Sequence, residues 1–439
     1  MFFNLMRHVC NVTMNKLFHL LSFVLNYRVI GASVVVKPNH HLALGFDFGT
    51  SGARFCLIDA NRAVLRSGVL LWTNIGDGRA DNPVNWQTAL YSLLDEIPER
   101  DRSLVSRICV SGTSASTLVF DQSTGEVSRR PRMYNFNVLQ KCENKLAKAT
   151  MEFVESVCPK NNAAFASTST FAKLVAWQLE SKLCTSERLV HQADYIQSEL
   201  LMDDIKLRTF TSDWHNALKV GFDVVDLKYP DWLIEGLITL GIDLPEIFLP
   251  KVVEPGKPVG PVSERICKLF QLPPDCVVVG GTTDSIAAFL ATGPTVSPGR
   301  AVTSLGSTLA IKLLSTRHIE DAKRGVYSHR LGNLFLVGGA SNVGCAVFRA
   351  LNFSDSELDQ LSTAINPMRD SGLQYYALPP STVGERFPVN DPYKTPILGP
   401  VPSSRAEYLH GLLEAIAVVE RDGYRALEEL GATPPLQVG

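Results

Sequence analysis

Residues 42–52 read LALGFDFGTSG, and the rest of the chain is best understood from this stretch. Its apolar beginning, from Leu42 to Phe46, predicts a buried strand, and one acid, Asp47, comes near the end of that strand. A turn of glycine, threonine and serine follows, and residues 53–58 form a second, mostly apolar run. Strand, tight turn and strand predict a hairpin whose turn exposes backbone N–H groups and two hydroxyls. Because glycine lets a ligand approach the main chain, such a turn suits an anion.

The acid beside this turn allows two interpretations. A divalent cation or a protonated hydroxyl at the same place would explain it, but an ordinary hairpin with an exposed aspartate would explain it as well. The second half of the chain opens in the same way: residues 301–304 and 309–314 predict two strands around a second Gly/Ser/Thr turn, Leu305–Thr308. Two such turns, one opening each half, predict two related domains that hold a polyphosphate from opposite sides.

Length and composition indicate the class of protein. A chain of 439 residues exceeds one comfortable core, so we expect two domains. Hydrophobic content of 45% and charged content of 20% are typical of globular proteins, and a net charge of −2 argues against a nucleic-acid partner. The nine cysteines include no C-x-x-C pair and no zinc-spaced His/Cys cluster, which favours reduced thiols in an intracellular compartment. Glycine and proline at 293–294 and 298–299 mark the boundary, which predicts domains at 42–293 and 300–439.

Residues 1–41 differ from the rest of the chain. They contain four lysines or arginines and no acid, a composition that resembles an organellar transit segment. A secretory signal built on Lys16 and the leucines after it is the alternative, and the cysteine usage disfavours it. Polar residues interrupt the apolar run 17–36, so we expect neither a membrane span nor a membrane partner.

Polar residues also follow two later strands. Ile108–Val110 predicts a strand that ends in Ser111, and residues 276–280 predict a buried strand that runs into GTTDS at 281–285 and then into a helix. Further predicted elements are an amphipathic helix at 173–179, a strand at 333–337 ending at glycines 338 and 339, a long helix at 406–430 and the start of a strand at 436–439.

Taken together, these stretches resemble the FGGY carbohydrate kinases. The ordered set is GFDFGTS at 45–51, ICVSGTS at 108–114, GGTTDS at 280–285 and TSLGST at 303–308. Residues 211–219 resemble the D-x-x-N-A stretch of that family, and residues 131–135 (PRMYN) add support. The resemblance runs from Leu42 to the C-terminus and implies an α/β, two-domain actin-like ATPase (ribonuclease-H-like) fold with a cleft between the lobes. Within the family the chain is most similar to plant and cyanobacterial kinases of D-ribulose, which implies the chloroplast, with the cytoplasm as the alternative.

The resemblance implies a role for three polar residues. Asp284 would be the catalytic base, since a carboxylate within hydrogen-bond reach of a sugar hydroxyl can take its proton during attack on the γ-phosphoryl group. The alternative is that Thr282–Ser285 only cap the following helix, and the two roles are compatible. Asp47 would hold Mg²⁺ or its waters and touch the substrate. Ser111 is a candidate for the sugar hydroxyls, although turn chemistry explains a serine there equally well.

The two turns would bind the nucleotide. By resemblance the chain uses ATP and Mg²⁺, and no P-loop and no strand-anchored G-x-G-x-x-G offers a different nucleotide site. Phosphoryl transfer needs mainly positioning and charge neutralisation, so we expect two lobes to close around ATP and sugar. The residues expected at the phosphates are Gly49, Thr50, Ser51, Gly52, Gly306, Ser307 and Thr308.

Two departures from the family pattern affect the choice of activity. Where an acid is often found in the sugar-binding stretch, Tyr134–Asn137 has Phe136, and this reduced polarity favours a small pentulose. The sequence ends at Gly439, before the Gly-rich turn that contacts adenosine in the family, so we expect weak ATP binding unless the chain continues in a longer form. We therefore expect phosphorylation of D-ribulose. D-xylulose kinase activity, a bare ATPase and a sugar-binding pseudokinase are the alternatives, and the oligomeric state is not predicted.

Overall fold

The computed structural model describes residues 42–204, 208–293 and 296–439. The described residues form two units, which we call the N-terminal unit (residues 42–293) and the C-terminal unit (residues 296–439). Each unit has its own main sheet and its own hydrophobic core. The segment 1–41, for which the sequence predicts import into an organelle, lies outside the described residues.

The N-terminal unit is built on a mixed sheet of six strands in the order β10-β11-β4-β1-β2-β3. Strands β1, β2 and β3 form an antiparallel meander, whereas β4 runs parallel to β1 and β11 runs parallel to β4. The strands of this unit are β1 (Leu42–Phe48), β2 (Gly52–Ile58), β3 (Val64–Leu71), β4 (Val105–Gly112), β5 (Thr117–Asp121), β6 (Glu126–Arg132), β7 (Glu187–His191), β8 (Thr211–Asp213), β9 (Lys251–Val253), β10 (Pro258–Pro261) and β11 (Val277–Thr283).

The hairpin predicted at 42–58 is confirmed, with β1 and β2 antiparallel and joined by residues 49–51. Apolar side chains on one face of this sheet, such as Phe46 and Phe48, are fully buried against helix residues that include Trp86. Burial of each such side chain stabilises the fold by roughly 1.5–3 kcal/mol. The core therefore holds the strand ends, and with them the polar residues, in a fixed register.

Helices and smaller sheets complete the N-terminal unit. Strands β5, β6 and β7 form a three-stranded antiparallel sheet, and β8 pairs with β9. Asn82 and Ser169 begin helices by accepting a hydrogen bond from a backbone N–H of the first turn, as capping residues do. The helices are α1 (Pro83–Glu96), α2 (Glu99–Arg102), α3 (Val138–Lys141), α4 (Asn144–Val157), α5 (Thr170–Glu180), α6 (Gln192–Leu201), α7 (Trp214–Ala217), α8 (Asp231–Thr239), α9 (Pro245–Phe248), α10 (Glu264–Phe270) and α11 (Asp284–Ala291).

The C-terminal unit repeats the core of the first sheet. Its order is β14-β15-β13-β12-β16, in which β12 and β13 form a hairpin, β15 pairs with β13, and β16 runs parallel to β12 as β4 does to β1. The strands are β12 (Arg300–Leu305), β13 (Leu309–Ser315), β14 (Tyr327–Leu331), β15 (Leu334–Ser341) and β16 (Gln437–Val438). The helices are α12 (Ala346–Ala350), α13 (Asp355–Ser362) and α14 (Arg405–Glu429).

Two local predictions need correction. The helix predicted at 173–179 is present within α5, but it does not bury one face only: every residue from Thr170 to Gln178 is buried, and Leu179 and Glu180 at its end are exposed. The strand predicted to end at glycines 338 and 339 continues to Ser341, with both glycines paired to β13 inside β15. None of the helices that the structure describes is long and apolar enough to cross a membrane.

Candidate active site

Asp47 lies near the end of β1 and is only 5% exposed, so the ordinary hairpin with an exposed aspartate does not describe it. The hydroxyl of Ser111 donates a hydrogen bond of 2.8 Å to Asp47 Oδ1, and the guanidinium of Arg54 lies 3.6 Å from Asp47 Oδ2. Ser111 and Arg54 are the strand neighbours of Asp47 on β4 and β2. A buried carboxylate is thus held by one hydroxyl and one cation, which stabilise its charge.

The turn between β1 and β2 presents its hydroxyls to solvent. Thr50 and Ser51 are exposed, while Gly49 closes the turn with a 3.0 Å hydrogen bond from its N–H to the carbonyl of Gly52. The buried Trp72 Nε1 donates a 3.0 Å hydrogen bond to the Gly49 carbonyl and so fixes the backbone of the turn. The turn therefore has the fixed backbone and accessible polar groups that an anion-binding turn requires.

Arg54 is a site residue that the sequence analysis missed. Besides facing Asp47, its guanidinium donates a 3.1 Å hydrogen bond to Ser51 Oγ at the exposed turn. The signal was present in the alternation of β2, since a charged residue two positions beyond Gly52 in an apolar strand is unusual. Its position on the second strand of a hairpin places it opposite Asp47.

The row of polar residues continues onto β11. In register with Ser111 lies Thr282, and just before it Gly281 approaches β4 so closely that an added Cβ would lie 1.9 Å from the Val110 carbonyl oxygen. Only glycine fits there, which explains the irregular pairing between Val279 and Thr282. Arg54, Asp47, Ser111 and Thr282 therefore lie side by side on four neighbouring strands.

Asp284 follows this row by two residues and is the first residue of α11. Thr283 occupies the N-cap position of α11 but makes no side-chain capping bond. The capping role predicted for residues 282–285 is therefore not fulfilled at the N-cap position. Instead, Asp284 Oδ1 accepts a 2.7 Å hydrogen bond from the N–H of Ser285. Asp284 is partly exposed and directly follows β11, the strand that pairs with the strand of Ser111.

The D-x-x-N-A stretch has a structural explanation. Asp213 caps α7 by accepting hydrogen bonds from the N–H groups of His215 (2.8 Å) and Asn216 (3.1 Å), and from the Asn216 side-chain amide (2.7 Å). His215 Nδ1 is hydrogen-bonded to Thr282 Oγ1 at 2.6 Å, and both residues are buried. The stretch thus braces the strand that leads to Asp284, a contact that local sequence patterns do not reveal.

The second Gly/Ser/Thr turn lies in the C-terminal unit, between β12 and β13. Its residues Gly306, Ser307 and Thr308 are exposed, and the Gly306 N–H donates to the Thr308 carbonyl at 3.0 Å. The backbone at Gly344 packs directly against the turn and leaves no room for a side chain, because an added Cβ there would lie 2.6 Å from Thr308 Cα. Arg349 donates a 3.1 Å hydrogen bond to Ser307 Oγ, so each of the two turns has a serine bonded to an arginine.

The structure therefore brings some predicted residues together within one unit. Asp47 and Ser111 are in contact, the turn 49–52 joins the strand of Asp47 to that of Arg54, and Asp284 ends the strand beside Ser111. The predicted residues of the turn 306–308 belong to the other unit, in a hairpin of the same construction.

Comparison with known proteins identifies the family. Residues 42–291, more than half of the chain, match the N-terminal domain of the FGGY family of carbohydrate kinases. The chain belongs to the FGGY family of carbohydrate kinases. The predicted family is confirmed, and with it the prediction that the chain is a kinase. Sugar kinases of this family use ATP and typically Mg²⁺.

Solved structures show the same fold. The ligand-bound xylulose kinase of Lactobacillus acidophilus is 16% identical with a TM-score of 0.71, covering 90% of this chain and 80% of that one. The xylulose kinase of Rhodospirillum rubrum is 21% identical with a TM-score of 0.71 over 90% and 80% of the two chains. The glycerol kinase of Plasmodium falciparum with ADP is 14% identical with a TM-score of 0.68 over 92% and 82%. The predicted α/β, two-domain actin-like ATPase class is thereby confirmed.

The donor set of this FGGY kinase fits a metal that arrives with a nucleotide. Among the residues that the structure describes, no group of three or more His, Cys, Asp or Glu side chains is arranged to hold a metal ion. Mg²⁺ in phosphoryl-transfer enzymes is commonly held by one or two carboxylates together with phosphate oxygens and waters. The buried carboxylate of Asp47, beside the exposed turn 49–52, is suited to that partial role.

Proposed function

We propose that this FGGY kinase phosphorylates D-ribulose with ATP, giving D-ribulose 5-phosphate and ADP. The observation that carries the proposal is the row on adjacent strands of one sheet, in which Arg54, Asp47 and Ser111 are in contact and the next strand leads to Asp284. This arrangement places a cation, a buried carboxylate, a hydroxyl and a partly exposed aspartate along one edge of the sheet. Phosphoryl transfer to an alcohol uses groups of these kinds.

Asp284 is the proposed base. As the sugar hydroxyl attacks, its oxygen forms a bond to the γ-phosphorus, its proton passes to the Asp284 carboxylate, and the bond between the γ-phosphorus and the bridging oxygen of ADP breaks. Little covalent chemistry is asked of the protein in such a reaction, so rate depends on orientation and on neutralising charge. The position of Asp284 at the end of a rigid strand, braced through Thr282 and His215, supports this role.

The proposed phosphate contacts come from both turns. In the N-terminal unit they are the backbone and hydroxyls of Gly49–Gly52, joined by Arg54, whose guanidinium already reaches Ser51 Oγ. In the C-terminal unit they are Gly306, Ser307 and Thr308. Mg²⁺ would supply charge neutralisation at the phosphates, and Asp47 would hold it or its waters.

The choice of sugar rests on Ser111 and the turn at Tyr134–Asn137. D-ribulose and D-xylulose differ only in the configuration at one carbon, so a difference of one hydrogen bond can separate them by about ten- to a hundredfold. D-xylulose is the second candidate, because several solved relatives with this fold are xylulose kinases. The apolar Phe136, whose ring lies 4.7 Å from the Arg132 guanidinium, supports a small pentulose of either configuration, and Ser111 is then the proposed contact that separates the two.

A coupled assay of ADP release with D-ribulose, D-xylulose, L-ribulose and glycerol tests the proposal. We expect D-ribulose to stimulate ADP release most and Asp284→Asn to abolish the stimulation. Equal ADP release with and without sugar would make the protein a bare ATPase, and preference for D-xylulose would move the assignment to the second candidate. Calorimetry that detects sugar binding without ATP binding would identify a sugar-binding pseudokinase.

We also propose the organisation of the chain as a targeting segment (1–41) followed by kinase domains at 42–293 and 300–439. The basic, acid-free composition of residues 1–41 supports import into the chloroplast. Fusing residues 1–41 and, separately, residues 42–439 to a fluorescent protein tests this: only the first fusion should enter chloroplasts. A cytoplasmic signal from both would reject the targeting role.

A further inference from the structure

A lysine is enclosed in the core of the N-terminal unit beside the proposed sugar site. Lys173 in α5 has 0% exposure, and its Nζ donates to the backbone carbonyls of Ala115 at 2.7 Å and of Met133 at 2.8 Å. Among the described residues no carboxylate forms an ion pair with it. Burying an ammonium without a counter-ion costs folding free energy, and the two hydrogen bonds to carbonyls offset part of that cost. They also provide a link between backbone segments that an apolar side chain could not make.

The two carbonyls belong to two different loops. Ala115 lies in the loop that follows β4, the strand of Ser111, and Met133 begins the turn after β6 that contains Tyr134. The Tyr134 N–H donates a 2.8 Å hydrogen bond to Ser116 Oγ, which joins the same two loops a second time. The side chains of Lys173 and Ser116 therefore link the two loops by hydrogen bonds, and we call each of these links a joint.

Each of the two loops has a local backbone feature next to the carbonyl that Lys173 bonds. Ala115 has a φ of +63°, in the left-handed region, which costs roughly 1–2 kcal/mol for a residue with a Cβ and needs outside support. The Met133 carbonyl accepts both the Lys173 ammonium and the Phe136 N–H at 2.9 Å, so the lysine caps the turn that presents Tyr134. Tyr134 itself is 40% exposed and free to meet a ligand with its ring.

The enclosure of Lys173 is completed by Arg132. Its guanidinium donates a 3.0 Å hydrogen bond to the Lys173 carbonyl, pairs with Glu180 and lies over the Trp177 ring at 4.8 Å. Helix α5 and the end of β6 are thus tied in both directions, because the arginine donates to the helix and the lysine donates to the residue after the arginine. Burial, helped by Arg132, lowers the pKa of Lys173 to about 7.

We propose that Lys173 is a positioning residue for the sugar site: it holds the loop 113–116 and the turn 133–136 in the relative arrangement that forms one wall of that site. That the bound ligand is a sugar rests on the proposed function, whereas the link between the two loops rests on the hydrogen bonds of Lys173 alone. Because Lys173 is fully buried and bonds to the two loops, its loss should act on sugar affinity through the loops and leave the nucleotide turns as they are.

Hydrogen–deuterium exchange and steady-state kinetics of Lys173→Met test the proposal. Methionine keeps the apolar stem and removes the donors, and Lys148→Met, on an exposed part of α4, is the matched control. Three amides report on the joint, those of Ser116, Tyr134 and Phe136, since each donates within or between the two loops. We expect their exchange in Lys173→Met to rise by about tenfold or more, with β1 and β2 unchanged.

The kinetic expectation is a sugar KM raised by about tenfold or more, with the KM for ATP changed by less than about twofold. Ser116→Ala removes the second joint and should raise exchange at Tyr134 in the same direction, which also covers the case in which Lys173→Met fails to fold. Uniform faster exchange throughout the unit, or an unchanged sugar KM, would overturn the proposal. If the unmodified protein phosphorylates none of the sugars, the proposed function fails, while the exchange pattern still decides whether Lys173 joins the loops.

Discussion

The hydrogen bond between Ser111 and Asp47 gives the sharpest test of the site. Ser111→Ala removes a fully buried hydroxyl that donates at 2.8 Å to a carboxylate that is itself 5% exposed. Hydrogen bonds to charged groups are worth about 1.5–3 kcal/mol, and at 5% exposure the carboxylate regains little solvation when the donor is removed. We therefore expect the free energy of unfolding to fall by about 2 kcal/mol.

The same strand offers a matched control. The hydroxyl of Ser106, at the other end of β4, donates at 3.1 Å to the Leu42 carbonyl, which is a neutral acceptor. Ser106→Ala should cost about 0.5–1.5 kcal/mol in stability and leave sugar turnover unchanged. If Asp47 must be oriented during transfer, Ser111→Ala should lower kcat/KM for the sugar by about ten- to a hundredfold, since 1.4 kcal/mol corresponds to a factor of ten.

Urea unfolding gives the stabilities, and the coupled ADP assay gives kcat/KM for both variants. Equal kcat/KM values for Ser111→Ala and Ser106→Ala would refute the reasoning that the Ser111–Asp47 contact belongs to the active site. A loss of stability in Ser111→Ala no greater than in Ser106→Ala would refute the weaker statement that the Ser111–Asp47 hydrogen bond stabilises the fold more than a hydrogen bond to a neutral carbonyl does.

Three further predictions follow from the same structure. Asp284→Asn should lower kcat by about 10²–10⁴-fold while leaving urea unfolding unchanged; sugar phosphorylation at the normal rate would remove Asp284 as the base. Gly281→Ala should destabilise the N-terminal unit by more than about 3 kcal/mol, because the new Cβ would lie 1.9 Å from the Val110 carbonyl oxygen, and a melting temperature equal to that of the unmodified protein would contradict the close packing. Because the pKa of Lys173 is lowered to about 7 in the folded protein from 10.5, the unfolded chain binds more protons between these values, so stability should rise with pH above 7, by at most roughly 1.4 kcal/mol per pH unit. That rise should be smaller in Lys173→Met than in Lys148→Met, and equal slopes in urea unfolding at pH 7 and 8.5 would show that the amine is not titrating there.

Local patterns predicted the elements that form the site but not the contacts between them. The hairpin at 42–58 and the strand that ends at Ser111 follow from apolar runs and turn residues, which depend on neighbouring positions only. The pairing of Asp47 with Ser111 joins residues 64 positions apart, and nothing in either stretch determines that register. Arg54 differs in this respect, since the predicted hairpin already sets it opposite Asp47 and only its role at the site was overlooked.

Enclosure is the second property that the sequence hides. The pattern of α5 predicts one apolar face, yet the structure buries Lys173 and Gln178 as well as the apolar residues between them. Hydrophobic periodicity shows which side of a helix prefers the core, but it does not show whether other elements also cover the opposite side. The bonds from Lys173 to two loops, and from His215 to Thr282, arise from such covering and could be found only in three dimensions.

The groups proposed for phosphoryl transfer and most of those proposed for sugar binding lie on different kinds of structural element. Groups proposed for the phosphates lie on the turns that join paired strands, and the proposed base Asp284 begins the helix that directly follows β11, so the sheets fix the backbone next to both. Apart from Ser111 on β4, the groups proposed for the sugar lie on loops that side chains such as Lys173 and Ser116 hold from outside the sheet. Substitutions in those loops can then change sugar affinity while the sheet stays intact, because the hydrogen bonds they lose are not ladder bonds. On this argument, a change of sugar preference is easier to obtain around residues 113–116 and 133–136 than by altering Asp47 or Asp284.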